Sequence, residues 1–136
     1  MVSGGTEDAH VTKYIVSYPI EIVCHGAFCE TLAEEIVLPD TVIAFGYNPF
    51  GKTRLKKFVI PKNVCHIETV NPFATCYTLE ELVVPANVSL VGQSAFKGCV
   101  NLRRLLFEPG LHTIDRDAFR YCESLERVEL PSTVRA

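Results

Sequence analysis

The residues of this 136-residue chain with the most chemistry to offer are six cysteines: Cys24, Cys29, Cys65, Cys76, Cys99 and Cys122. Two are followed by histidine, giving Cys24-His25 and Cys65-His66. A zinc site needs Cys or His spaced so that several converge on one ion. These two pairs lie far apart in the chain, and neighbours on an extended backbone point to opposite faces. A metal site is therefore not expected. Cys24 and Cys29 are close enough in sequence to close a small loop, and an even cysteine count fits a disulfide framework in a secreted protein. The alternative is buried thiols acting as small hydrophobes. The second reading is favoured because Cys76, Cys99 and Cys122 recur at a fixed interval, and a chain of this size does not require staples.

Residues 46–53, "GYNPFGKT", match the phosphate-loop spacing G-x-x-x-x-G-K-[ST]. That loop works by following a buried strand and opening a long helix, so that backbone amides cradle phosphate. Here Pro49 sits inside the segment, and the strand-like "KKFVI" follows almost at once. Nucleophilic catalysis would need Cys and His within hydrogen-bond reach and a third orienting group, and no local pattern supplies them. Glu34-Glu35 and Glu80-Glu81 read as solvated strand flanks rather than paired catalytic acids. No enzymatic activity and no cofactor are expected, and a nucleotide- or metal-binding enzyme is the minor alternative.

The elements that position these residues follow from a repeat. Phe28, Phe50, Phe73, Phe96 and Phe119 recur every 22 or 23 residues. The clearest unit runs Val88, Val91, Ala95, Phe96, Cys99, Leu102, Leu105, Phe107. The next runs Leu111, Ile114, Ala118, Phe119, Cys122, Leu125, Val128, Leu130. Earlier copies are looser, and the first carries Leu32 in a shifted Leu position. One such unit cannot enclose a core. Stacked units can, because each position becomes a ladder of like side chains.

Alternating apolar pairs mark the strands: Ile36-x-Leu38, Phe58-x-Ile60, Leu82-x-Val84, Leu105-x-Phe107 and Val128-x-Leu130. Neighbouring units place them side by side and parallel. Proline closes four of the five, since it lacks the N–H that would continue a ladder. The "VSLV" and "HTI" segments predict a second short extended piece per unit. "AFKGC" and "AFRYC" are too short for a long helix and predict a single helical or 3₁₀ return turn.

"VSLVGQSAFKGCVNLRRLLF" and "LHTIDRDAFRYCESLERVELPSTV" resemble leucine-rich repeats of the BspA type. The resemblance spans about residues 20–134. It is specific in the last three copies and degraded in the first two, where Thr31 and Thr53 stand in the Cys position. It implies a repeat solenoid, a right-handed α/β-type coil with a parallel β-sheet on its concave face. It also implies partners for some members, which are adhesins that bind host matrix proteins or other cells.

Two outward rows on that sheet are the candidate partner-binding site. One is Glu35, Lys57, Glu81, Arg104 and Arg127, alternating in sign over its first four members. The other is Val37, Val59, Val83, Leu106 and Glu129. The charged row reads either as cross-strand pairing that supports the register or as a recognition code. The apolar row reads either as a partner patch or as ordinary β-propensity. The expected function is a non-catalytic protein–protein interaction module, with a cell-surface adhesin fragment as the alternative.

The bulk numbers bound the rest. A net charge of −3 argues against nucleic acid and anionic membranes as partners. No apolar run is long enough to span a bilayer, and "MVSGGTEDAH" does not have the form of a secretory signal. The expected location is intracellular as the chain stands, or the cell surface if it is cut from a longer precursor. Residues 1–13 are expected to be a mobile leader and 14–136 a single domain of about five repeats. "LPSTVRA" brings no polar cap, so the expectation is either that the chain is a fragment or that a second copy covers the open solenoid end as a homodimer.

Overall fold

A computed structural model describes residues 11–67, 71–126 and 128–135. The chain winds through two rows of short strands. The front row is β1 (Lys13–Ile15), β3 (Glu35–Val37), β5 (Lys57–Val59), β7 (Glu81–Val84) and β9 (Arg104–Phe107). The second row is β2 (Ile22–Val23), β4 (Ala44–Phe45), β6 (His66–Ile67), β8 (Leu90–Val91) and β10 (Thr113–Ile114). Every pairing is parallel, and the front register sets Glu81 beside Lys57 and Arg104, and Val83 beside Val59 and Leu106. The five front strands bound four full turns of a solenoid. Strand β1 falls within the apolar segment that precedes the first Phe-anchored copy, and it begins at Lys13.

Stacking of like positions is direct. The rings of Phe28, Phe50, Phe73, Phe96 and Phe119 form one column, with successive centroids 5.9, 5.1, 5.7 and 5.3 Å apart. These separations are those of offset aromatic pairs. Val23, Leu55, Leu79, Leu82, Cys99 and Leu102 are fully buried around the column. At the first coil the ring of Tyr14 closes onto Phe28 edge-on, 5.3 Å away. In that coil the Leu position is filled by Ala33, which is fully buried, while Leu32 is only half-buried. At the other end Phe119, Leu125 and Val128 are partly buried and Leu130 is 52% exposed. No strand is found over 128–130, contrary to the period-2 expectation, and this last coil has a neighbour on one side only.

The return segments differ from the helical or 3₁₀ turn expected. Among the described residues there is no helix. Two positions per coil, two before and two after the Phe, adopt left-handed backbone. The first set is Gly26, Asn48, Asn71, Ser94 and Asp117; the second is Glu30, Lys52, Thr75, Gly98 and Tyr121. Their φ values lie between 44° and 83°. A helix needs consecutive right-handed residues, and these positions interrupt it every fourth residue. Amides instead alternate. Ala95, Lys97 and Cys99 donate three residues back, to the carbonyls of Gly92, Ser94 and Phe96. Phe96 and Gly98, between them, donate to Ala118 and Arg120 of the next coil, at 2.8 and 2.9 Å. The return is a string of turns in which half the amides fold the coil and half join it to its neighbour. Each coil thereby satisfies a backbone that would otherwise be buried without partners.

One seam interrupts the front row. Strands β1–β3 form one ladder and β5–β7–β9 another. Across the seam the described chain is joined by the Arg54 amide donating to Ala33 O at 2.9 Å, the Asn63 side chain donating to Asp40 O at 2.6 Å, and a Lys62–Asp40 ion pair at 3.2 Å.

Candidate interaction surface

Each front strand presents the same triplet: an outward charge, an inward apolar residue, an outward aliphatic. The inward member is held by the core, so the period-2 backbone fixes its two neighbours on the solvent face. Glu35, Lys57, Glu81 and Arg104 occupy the first outward position, and Val37, Val59, Val83 and Leu106 the second. Glu129 is exposed in the last coil, and Arg127 lies outside the described residues.

Two members of these rows were not expected from sequence: Lys13 and Ile15, from β1. Register sets Lys13 beside Glu35 and Ile15 beside Val37. The signal was present, since Lys13-Tyr14-Ile15 is the same triplet as Lys57-Phe58-Val59. It was hidden because β1 precedes the first Phe-anchored copy.

The two rows differ in how far they are satisfied. The charges pair across the strands: Lys13–Glu35 at 3.2 Å, Lys57–Glu81 at 3.6 Å and Arg104–Glu81 at 3.4 Å. Glu81 thus lies between two cations. The aliphatics face solvent to a larger degree. Ile15 is 62% exposed, Val37 44%, Val59 66% and Leu106 61%, and Val83 is half-buried. Beside them run Pro39, Pro61 and Pro85, the strand-closing prolines. Over the seam a hollow of about 700 Å³ is lined by Val37, Val59, Pro61 and Val83 together with charged residues that include Glu34, Asp40, Lys56 and Lys62. A second, of about 650 Å³, is lined by Val83, Leu106, Pro109 and Leu130.

A profile of the BspA type leucine rich repeat region matches residues 21–136 in six copies. The chain belongs to this family. Among solved structures it is similar to a leucine-rich repeat protein from Bacteroides ovatus, at 19% identity and a TM-score of 0.66. That match covers 93% of this chain and 38% of the other. It is also similar to a leucine-rich repeat protein from Eubacterium ventriosum, at 18% identity and a TM-score of 0.65, covering 91% and 40%. A leucine rich cell surface protein from Faecalibacterium prausnitzii matches at 20% identity and a TM-score of 0.54, covering 72% and 32%. This BspA-type chain therefore spans two fifths or less of the length of these neighbours. No curated protein matches its sequence.

The reactive residues of this BspA-type repeat are built into its coils. In "GYNPFGKT", Phe50 is a member of the buried ring column. Lys52 is ion-paired to Glu30 at 3.0 Å, and hydrogen bonding to that carboxylate raises its pKa. Thr53 is buried and donates to Phe50 O at 2.8 Å. No helix follows the loop, so its amides do not converge as a phosphate cradle requires.

Cys29, Cys65, Cys76, Cys99 and Cys122 are free thiols. Cys76, Cys99 and Cys122 share their position with Thr31 and Thr53. Four of the five donate to a Phe carbonyl, and Cys76 instead lies 3.4 Å from Thr53 Oγ1. Thr31 and Thr53 reach the Phe of their own coil, at 2.7 and 2.8 Å. Cys99 and Cys122 reach that of the preceding coil, at 3.5 and 3.2 Å. Burial pushes Cys76 up, Cys99 well up, and Cys122 up to about 11 against the opposing pull of a backbone hydrogen bond at Cys99. Such thiols are protonated at neutral pH and poor nucleophiles. Cys24, His25 and Cys65 are not part of any group of three or more metal-ligating side chains among the described residues. No helix there is long and apolar enough to cross a membrane.

Proposed function

We propose that this chain is a non-catalytic protein-interaction module that meets a protein partner through the outward aliphatic row of its front sheet. One observation carries the reading. On the same strands, the members of the charged row are ion-paired with one another, while Ile15, Val37, Val59 and Leu106 stay exposed in line. A contiguous apolar patch on an otherwise charged surface is a feature of interaction sites. The residues that bear the site are Val37, Val59, Val83 and Leu106, joined by Ile15. Glu35, Lys57, Glu81, Arg104 and Glu129 belong to its border.

Affinity capture from the native source tests this, run beside a Val59→Glu/Leu106→Glu variant shown to be folded by circular dichroism. The wild type retains a protein that the variant does not. Equal retention by both sinks the reading.

A second reading, a piece of a cell-surface adhesin, draws on the Faecalibacterium neighbour, a leucine rich cell surface protein, and on the short share of each neighbour that this chain covers. Protease shaving of intact native cells separates the two: release of peptides from residues 81–107 supports the adhesin, and protection contradicts it. Self-association through the last coil is supported by the exposure of Leu130 and the half-burial of Phe119. A monomer in sedimentation velocity at high concentration removes it.

A further inference from the structure

We infer that the solenoid carries a hinge at one coil boundary, with β1–β4 moving as one block and β5–β10 as the other. The hinge is a property of the fold and stands whether or not the front sheet meets a partner.

The two strand rows break at the same place. The front row divides into β1–β3 and β5–β7–β9, and the second row divides into β2–β4 and β6–β8–β10. Both ladders therefore stop between the same two coils. At the other front boundaries the first residue of each strand gives its backbone amide to the coil before. Glu35 donates to Thr12 O, Glu81 to Lys56 O and Arg104 to Glu80 O, at 3.1, 3.0 and 3.0 Å. Lys57 holds this position in β5, and no ladder joins β5 to β3. In the second row Ala44 donates to Glu21 O and Thr113 to Ser89 O, at 3.4 and 3.1 Å. No ladder joins β6 to β4.

The boundary is held by contacts of another kind. On the return side the rings of Phe50 and Phe73 stack at 5.1 Å, and the Phe50 amide donates to Pro72 O at 3.0 Å. Where the return meets β5, the Arg54 amide donates to Ala33 O at 2.9 Å. Beyond the end of β5, Asp40 takes the Asn63 side chain on its carbonyl and Lys62 on its carboxylate. The side chains of that ion pair are 67% and 63% exposed, and such pairs contribute little. A ladder of hydrogen bonds fixes the angle between neighbouring strands, because each bond is directional. Apolar stacking is not directional. The ring column and the Phe50 amide are the pin, and the two strand rows are the faces that part. Local opening in a fold draws on the segments with the fewest such constraints.

The hinge acts on the surface at one point. The hollow of about 700 Å³ is lined by Val37 from the first block and by Val59 and Val83 from the second. Its width changes as the hinge moves. The hollow of about 650 Å³ beside Leu106 is lined from the second block alone, so its width is fixed.

Nuclear magnetic resonance on the whole chain tests this in two ways. Residual dipolar couplings fitted separately to β1–β4 and to β5–β10 should give alignment tensors of different magnitude. Hydrogen exchange should alternate along β5. The Ile60 amide donates to Val83 O at 3.2 Å, so Phe58 and Ile60 face β7, while Lys57 and Val59 face β3. Lys57 and Val59 should exchange at least about tenfold faster than Phe58 and Ile60. One tensor that fits β1–β10 together overturns the hinge. So does equal protection of the four amides.

Discussion

Glu81, Leu82 and Val83 are consecutive residues of one strand, and they meet three different demands. Leu82 is fully buried and belongs to the ladder that holds the coils together. Glu81 faces out and is held between Lys57 and Arg104. Val83 faces out into a row whose members have no polar work to do. The two outward rows are two residues apart on the same strands, yet one is satisfied by the fold and the other is not. Exposure alone therefore does not mark a binding surface. A row earns that role when its side chains have no satisfactory use inside the chain.

The contrast can be broken most forcefully from the inside. Leu82→Ala should cost about 2–5 kcal/mol of stability, the range for a large-to-small change in a close-packed core. Urea unfolding checks it, and a loss below about 1 kcal/mol would mean that the ladder is not close-packed. Next in size is the apolar row. Val59→Glu should leave stability within about 0.5 kcal/mol, as surface changes do, and lower partner affinity at least about tenfold. A large loss of stability here would show that the row serves the fold after all.

The buried thiols sharpen the comparison from the core side. A thiol titrates near 9.0 when unperturbed, and Cys122 in the fold near 11. Between those values the unfolded chain gives up a proton that the folded chain keeps, so stability falls as pH rises through 9 to 11 and has no such slope below 9. Thermal unfolding of wild type against Cys122→Ser across pH 8–11 should show a smaller alkaline decline in the variant. Parallel curves would contradict the burial assigned to that thiol. Smallest is the charged row. Glu81→Gln should cost about 0.2–1 kcal/mol, and the difference should vanish in 1 M salt as screening shortens to about 3 Å.

Much of this architecture was legible in the sequence, and the reason is the repeat. Phe73, Phe96 and Phe119 could be placed in one column because stacked coils leave a single interior. The outward rows followed from strand periodicity once that interior was fixed. The return was not legible. Gly26, Asn48, Asn71 and Asp117, though not Ser94, are types that tolerate left-handed backbone, and they are a signal in hindsight. Glu30, Lys52, Thr75 and Tyr121 are not, and nothing in their chemistry announces φ above zero. Glu30 gives its amide to the next coil, at Gly51 O, a tertiary contact that no local pattern reports. Strand β1 was missed as a member of the rows because it has no Phe anchor of its own. Leu130 was assigned inward by pattern and is exposed, because a pattern does not say whether a neighbouring coil covers the residue. The β3–β5 seam has no counterpart in the local sequence.

The central claim is that the aliphatic row, and not the charged row beside it, makes the contact with the partner. The direct measurement is a pair of titrations against the captured partner by isothermal calorimetry in moderate salt. One uses Val59→Glu, and the other uses a Lys57→Gln/Glu81→Gln/Arg104→Gln triple variant. The account predicts at least about a tenfold loss of affinity for the first and a change of less than about threefold for the second. A triple variant that loses binding while Val59→Glu keeps it would contradict the account.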